Sequence, residues 1–461
     1  MKIIEKRILF VPVNGVGHVN ACIGIAKPMI RRGHRIAFFV EKTYEGKMKK
    51  LGFEEYYYEP YFFIDKKETE NCKNPGESAA KWLVVKKIIG KQDVMKQLEK
   101  LAEKPDDHII EKRLEDLERL KEVIESFKPD LFMIDNMTLE PVIDCSDKPW
   151  IKIMSVVPLI YLQNFDHLPP AWTGLSSDSN RKEWPKYREI VNRFIYSKEN
   201  NDFNEKHGYR RYEDDLLMPL TQAMTIYAYP EECDYPEIKE HHPDWFNLEV
   251  FNKNDSGETI DLKEFLPKEF YDNNLDEKFT GKWIYVSMGS MGSVDLDLMH
   301  RLIDVLTKTN HKYIVSKGPR HEEYELKRNL WGDRYLPQTK ILPIVDLVIT
   351  HGGNNSVTET FAQGKPMIIM PLFCDQHDNA QRLSEKKLAI KIPPYDFTDE
   401  QLIESIDRLI YDDELNSRLK QASQRILSID KHEQVCDKIE DIMAKYDNDC
   451  RQKNENFIKR K

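Results

Sequence analysis

The stretch THGGNNSVTETFAQGKPMIIMPLFCDQ, residues 350 to 376, gathers residue types that can hold an anion. His351, Gly352 and Gly353 end an apolar run, and Asn354, Asn355 and Ser356 open a helical stretch that carries Glu359. The free N–H groups and positive dipole end of such a helix suit a diphosphate. Glycines let the backbone approach it closely, and His351 and Ser356 add side-chain donors. Glu359, one turn in, can accept ribose hydroxyls. Asp375 and Gln376, after the next apolar run, can read adjacent sugar hydroxyls, and Met288-Gly289-Ser290 forms another small-residue loop expected at the same site. A plain strand-to-helix turn would explain the glycines but not the clustered donors.

A second set lies in VPVNGVGHVNACIGIAKPMIRRGHRI, residues 11 to 36, where an apolar run enters Asn14-Gly15-Val16-Gly17 and a helix is expected from near His18 or Asn20. Groups at such a junction point into the crevice beyond the strand ends, the usual ligand site of open α/β sheets. Gly15 and Gly17 match two positions of the dinucleotide pattern GxGxxG, with Glu41 as a ribose-binding acid, but Asn20 stands at the third glycine and two glycines are weak evidence. His18 is either a helix-start cap or a base. Asp135 closes KPDLFMID on what should be the same sheet edge. A carboxylate bonded to one imidazole nitrogen fixes the tautomer and stabilises the imidazolium, leaving the other nitrogen to take a proton. His18 and Asp135 are therefore the candidate catalytic pair.

The elements that must position these groups are short apolar runs alternating with helical stretches. RILFVPV (7–13), RIAFFV (35–40), DLFMID (130–135), WIKIMSV (150–156) and MTIYAY (224–229) read as strands. KWIYVSMGS (282–290), KYIVSKG (312–318), DLVITHGG (346–353), KPMIIMP (365–371) and LAIKIP (388–393) form a second series. Continuous β-rich runs separated by helices indicate parallel sheets covered on both faces, so two doubly wound α/β domains are expected. The polar, turn-rich stretch 245–280 reads as the linker between a domain at 1–244 and one at 281–430, with 431–461 a helical tail that returns to the first domain. KWLVVKKIIGKQDVMKQLEKL (81–101) has a helical pattern.

Bulk properties agree with two domains, since 461 residues exceed one ordinary core. The formal charge of -10, with acidic and basic residues interspersed, argues against a nucleic-acid partner, so any anionic ligand must be held locally. The seven cysteines are odd in number, scattered and without a CxxC pair, which reads as free thiols in a reducing compartment. No stretch approaches the ~20 apolar residues of a membrane span, and the N-terminus lacks the form of a signal peptide. A monomeric cytoplasmic protein is the expectation.

Together these motifs resemble the UDP-dependent glycosyltransferases of glycosyltransferase family 1, whose fold is GT-B, two Rossmann-like domains facing across a cleft. The resemblance covers essentially the whole chain and is similar to soluble macrolide-type bacterial enzymes and soluble enzymes of plant-feeding mites. In YLPQ it implies that Tyr335 stacks on uracil, where tryptophan is usual, and that Gln338 binds the base or ribose. It assigns His351, Gly353, Asn355, Ser356 and Glu359 to the nucleotide, Asp375 and Gln376 to the sugar, and Ser290 to the donor loop. His18 and Asp135 match the family's base and its partner. Ala21 replaces a common proline, and Ile344 a frequent histidine. The resemblance also puts Asp295-Leu296-Asp297 at a helix start rather than at a metal, and no metal is expected.

The activity so implied is direct displacement with inversion: His18 deprotonates an acceptor hydroxyl, which attacks the anomeric carbon of UDP-glucose. The expected acceptor is a small lipophilic hydroxylated molecule such as a phenolic, flavonoid, macrolide or xenobiotic, with Phe62, Trp82, Phe165 and Trp172 as candidate walls. The rivals are a UDP-sugar epimerase, which would need no acceptor, and a non-catalytic nucleotide-sugar-binding protein, which would lack His18 or Asp135.

Overall fold

The computed structural model describes residues 4–59, 75–103, 107–219, 221, 223–253, 260–273 and 281–458. Its first sheet contains β1 (Arg7–Pro12), β2 (Arg35–Glu41), β3 (Glu54–Tyr58), β4 (Leu131–Asp135), β5 (Trp150–Met154), β6 (Thr225–Tyr227) and β7 (Trp245–Asn247). Their spatial order is β3-β2-β1-β4-β5-β6-β7 and every pairing is parallel. The second sheet contains β8 (Trp283–Ser287), β9 (Lys312–Ser316), β10 (Leu330–Asp333), β11 (Leu347–Thr350), β12 (Met367–Ile369) and β13 (Ile390–Lys391), ordered β10-β9-β8-β11-β12-β13, again parallel.

The apolar runs are continuous because both faces of each sheet are covered. In β1, Ile8 and Phe10 join the core that contains Val19, Cys22 and Ile25 of the helix Val16–Arg31. Leu9 and Val11 point the other way, into the core with Leu117, Leu120 and Val123 of the helix Asp107–Phe127. The strand order reverses direction beside β1 in the first sheet and beside β8 in the second, which opens a crevice at the carboxyl ends of each.

Three strands go beyond the sequence expectation: β3, β7 and β10. Each is an edge strand, and β3 and β7 contain no fully buried residue, so none shows the apolar run that marks an interior strand. β7 falls inside the stretch expected to be linker, so the first sheet continues past residue 244. The helix expected across 81–101 is two helices, Pro75–Val85 and Val94–Leu101. Gly90, with φ of +131°, lies between them, and Asp93 caps the second by accepting the Met95 N–H at 2.7 Å.

The last helix, Lys431–Ile458, packs on Val16–Arg31 and contributes Val435, Cys436, Ile439 and Met443 to the core of the first sheet. Arg32 clasps it through Glu433 at 2.6 Å, Asp437 at 2.7 Å and Glu440 at 3.1 Å. Glu249, just after β7, receives Arg425 and Lys431, each at 2.7 Å, at the junction of the two halves.

Candidate active site

A cleft cavity of about 590 Å³ separates the carboxyl ends of the two sheets. Its first wall carries Gly15, Gly17, His18 and Ser155; its second carries Ser287, Ser290, Tyr335, Gln338, His351, Gly353, Asn355, Ser356, Glu359, Asp375 and Gln376. Every residue assigned to the candidate base or to the donor therefore lines this cavity except Asp135, which stands behind His18 at the end of β4.

The helix that carries His18 begins at Val16, with Gly15 as its N-cap, slightly earlier than expected. His18 Nδ1 lies 3.1 Å from Asp135 Oδ1 and 2.9 Å from Ser155 Oγ, so that nitrogen is engaged and Nε2 is left as the free ring nitrogen. Burial lowers the proton affinity of His18, but the charges of Asp135 and of Asp375 across the cleft outweigh it and the net direction is upward. Ser155 was not anticipated. It follows β5 as Asp135 closes β4, so the strand-end rule that found the pair would also have found it.

On the second wall the helix Asn354–Ala362 starts directly after Gly353, with its first N–H groups at the cavity. The glycines have a steric reason. A Cβ on Gly353 would lie 2.5 Å from His351 Nε2, and one on Gly289, whose φ is +70°, would lie 2.7 Å from the same ring. His351 thus fits between two glycines. Its Nδ1 lies 3.4 Å from the Ser287 carbonyl and 3.3 Å from Thr350 Oγ1, and burial lowers its pKa to about 4, so the ring is neutral at physiological pH.

Gln338 Nε2 donates to Glu359 Oε2 at 2.7 Å, and Asn252 reaches the other oxygen of Glu359 at 3.4 Å. Burial raises the Glu359 pKa to about 7. Tyr335 is 55% exposed, leaving a ring face available for stacking.

Asp375 opens the helix Asp375–Glu385; burial raises its pKa to about 6, against the opposing influence of His18 and nearby N–H groups. Gln376 differs from expectation. Its Oε1 accepts the backbone N–H groups of Leu372 and Phe373 at 3.0 and 3.3 Å, so the carbonyl braces its own loop and only the amide nitrogen remains for a ligand.

The other sequence candidates separate. Glu41 is bonded by Asn14 and by Thr43, the latter at 2.6 Å. Asp295 caps the helix Leu296–Leu306 through the Leu298 N–H at 3.1 Å and also accepts from Tyr395 at 2.8 Å. Three of the suggested acceptor walls do not line the cleft: Trp82 packs on the core, Phe165 against His241, and Trp172 against Phe194; Phe62 lies outside the described residues. These three are core contacts, which an aromatic type alone cannot distinguish from a pocket wall. A smaller cavity of about 250 Å³ instead opens between the ends of β1 and β4 and the helix Asp107–Phe127, lined by neither His18 nor Asp135. Val11, Phe39, Leu117 and Leu120 give it an apolar floor, and Asn14, Asn136 and the charged Lys112, Arg113, Asp116 and Glu140 a polar edge.

Residues 255–432 match the family described as UDP-glucoronosyl and UDP-glucosyl transferase. The NDP-glycosyltransferase YjiC of Bacillus subtilis is 22% identical over 448 residues, 96% of this chain and 98% of that protein. The uncharacterized UDP-glucosyltransferase YdhE of the same organism is 31% identical over 176 residues, 38% of this chain and 43% of that protein. Among solved structures, the glycotransferase of kitacinnamycin superposes with a TM-score of 0.62 at 17% identity, covering 95% of this chain and 99% of that one. The calicheamicin glycosyltransferase CalG4 gives 0.60 at 16%, covering 96% and 99%. Two parallel sheets facing across a cleft give the chain the GT-B fold of these structures. Over residues 255–432 the chain is similar to the UDP-glycosyltransferases. No helix among the described residues is long and apolar enough to cross a membrane.

Proposed function

We propose that the protein transfers a hexose, glucose, from its UDP-sugar to a hydroxyl of a small acceptor with inversion at the anomeric carbon. The observation that carries this reading is the His18 imidazole, held at Nδ1 by Asp135 and Ser155 and facing the helix start at Gly353 across one cavity. Asp135 stabilises the imidazolium that forms when Nε2 takes the acceptor proton. The acceptor oxygen attacks from the His18 wall, and UDP leaves toward the N–H groups after Gly353, with Ser356, Ser290 and neutral His351 beside it. Tyr335 covers the uracil, Gln338 and Glu359 bind the ribose, and Asp375 with the Gln376 amide reads the sugar hydroxyls. The reading requires no metal. The cavity beside Asn14 and Asn136 fits the body of an acceptor with an apolar ring and polar substituents, a phenolic or flavonoid.

Two alanine variants test it, because they should damage different quantities. His18→Ala should leave UDP affinity in calorimetry nearly intact and lower turnover by roughly 10²–10⁴, the usual contribution of a positioned base. His351→Ala should weaken UDP binding by about 1.5–3 kcal/mol, the loss of a bond to a charged group. Full turnover in His18→Ala on a phenol of ordinary acidity would refute the base. Mass spectrometry of hydroxylated acceptors incubated with UDP-glucose and other UDP-sugars tests donor and acceptor directly; a changed sugar without acceptor would favour an epimerase.

A further inference from the structure

One buried amide of the first domain is satisfied by the second. Gln97, in the helix Val94–Leu101, is 4% exposed, and both polar ends of its side chain cross to the segment that carries Asp375 and Gln376. Its Nε2 donates to the Leu372 carbonyl at 3.0 Å, and its Oε1 accepts from His377 Nε2 at 3.0 Å. A carbonyl only accepts, so Leu372 fixes which end of the amide faces it, and the remaining oxygen fixes the His377 tautomer. Burial and the charge of Lys391 lower the His377 pKa to about 3, so the ring is neutral. A buried amide costs stability unless it is bonded, and these two bonds form only where the domains meet.

The two contacts bracket the pair Asp375 and Gln376. Gln376 Oε1 accepts the N–H groups of Leu372 and Phe373, so Leu372 is held by Gln376 at its nitrogen and by Gln97 at its carbonyl. Between them Cys374 turns with φ of +51°, a left-handed conformation that a residue with a side chain keeps only where its surroundings enforce it. Phe373, Asp375 and Gln376 line the cleft cavity, and Gln97 stands behind them. We propose that Gln97 is a positioning residue for the donor hexose: its amide, reaching from the first domain, sets the turn from which Asp375 and Gln376 meet the sugar hydroxyls. The inference rests on the reading that this pair touches the sugar. Hydrogen bonds weaken steeply when misaligned, so a turn released from Gln97 discriminates less well between hydroxyl configurations. The groups assigned to uracil, ribose and diphosphate, Tyr335, Gln338 and the helix after Gly353, lie on other elements and keep their geometry.

The test compares the wild type, Gln97→Met and Gln376→Ala by UDP affinity in calorimetry and by the ratio of kcat/KM for UDP-glucose to that for UDP-galactose, which differs in the configuration of one hydroxyl. Methionine keeps the length of glutamine and removes both polar atoms. Gln97→Met should leave UDP affinity unchanged, because UDP carries no sugar, and should move the donor ratio toward one by roughly 3- to 10-fold, the worth of about one hydrogen bond. A merely structural contact would lower both donors by the same factor or weaken UDP as well. An unmoved ratio in a Gln97→Met protein that binds UDP normally overturns the proposal. If Gln97→Met does not bind UDP, Gln97→Glu is read in its place: it keeps the acceptor for His377 but turns an oxygen toward the Leu372 carbonyl. Its ratio should also move toward one, and an unmoved ratio there overturns the proposal. Gln376→Ala separates this failure from that of the underlying reading. A ratio unmoved in Gln376→Ala defeats the contact of Gln376 with the sugar, whereas a ratio moved there but not in Gln97→Met defeats only the role of Gln97.

Discussion

Asn355 Nδ2 donates to the Gly17 carbonyl at 2.7 Å, joining the first turn of the Asn354–Ala362 helix to the turn that carries His18. The two walls of the cleft are thus tied between the His18 turn and the helix start at Gly353. A neighbouring bond from Asn354 Nδ2 to the Ala228 carbonyl at 3.0 Å acts in the same sense. Asn355→Ala removes the first tie and should disfavour the closed arrangement by about 0.5–1.5 kcal/mol, the net value of one hydrogen bond. Initial rates at saturating UDP-glucose should fall roughly 2- to 10-fold. Rates equal to wild type would show that this contact has no hold on closure.

Gly353 is tested by adding one methyl group. In Gly353→Ala the new Cβ would stand 2.5 Å from His351 Nε2, so the ring must leave its place between Gly353 and Gly289. UDP affinity in calorimetry should fall about tenfold or more, comparable to losing one hydrogen bond to a charged group. The thermal stability of the empty protein should change little, because the displaced ring borders the cavity. Unaltered affinity would mean that His351 does not serve the diphosphate from its observed position.

The interior of both sheets was legible in the sequence because strands buried on two faces must be apolar throughout, as LFMID and LVIT are. The edges were not. EEYYY, WFN and LWGD carry no such run, and their membership depends on a neighbour brought by the fold. The same division holds for the site. His18, Asp135 and His351 could be placed at the cleft from sequence because they stand at or just after strand ends, and all strand ends of a parallel sheet share one edge. What their neighbours do with spare lone pairs is set by loop geometry, so the bracing role of the Gln376 carbonyl and the burial of Trp172 appeared only in three dimensions.

Asp378 should make stability depend on pH. Its oxygens accept the Trp172 N–H at 2.6 Å and the Gly174 N–H at 3.2 Å, holding a loop of the first domain against the helix Asp375–Glu385. Burial outweighs those two bonds and raises its pKa to about 8. A carboxyl whose folded pKa exceeds its unfolded one gives stability that is complete below the unfolded value, about 4, and is lost as pH rises through about 8. Asp378→Asn cannot ionise. Its melting temperature should therefore improve relative to wild type between pH 5 and about pH 9. A constant difference across that range would show that the carboxyl does not carry its proton in the folded protein.

If the acceptor body enters the smaller cavity between β1, β4 and the helix Asp107–Phe127, that cavity should decide which acceptors fit. Thr138 lies on its rim, three residues beyond Asp135 and partly exposed, so a larger side chain there need not disturb the core. Thr138→Trp should fill the space above Val11, Phe39 and Leu120 without touching the donor wall. A three-ring flavonol should then lose turnover by at least about tenfold, corresponding to about 1.4 kcal/mol, whereas a single-ring phenol, reaching no further than His18, should be glucosylated as before. UDP affinity should not change, since no donor-side residue lines this cavity. The comparison is internal to one variant, so a general loss of folding would depress both acceptors and the UDP signal together. If the flavonol and the phenol kept their wild-type ratio while UDP still bound, the acceptor body would have to lie elsewhere along the cleft.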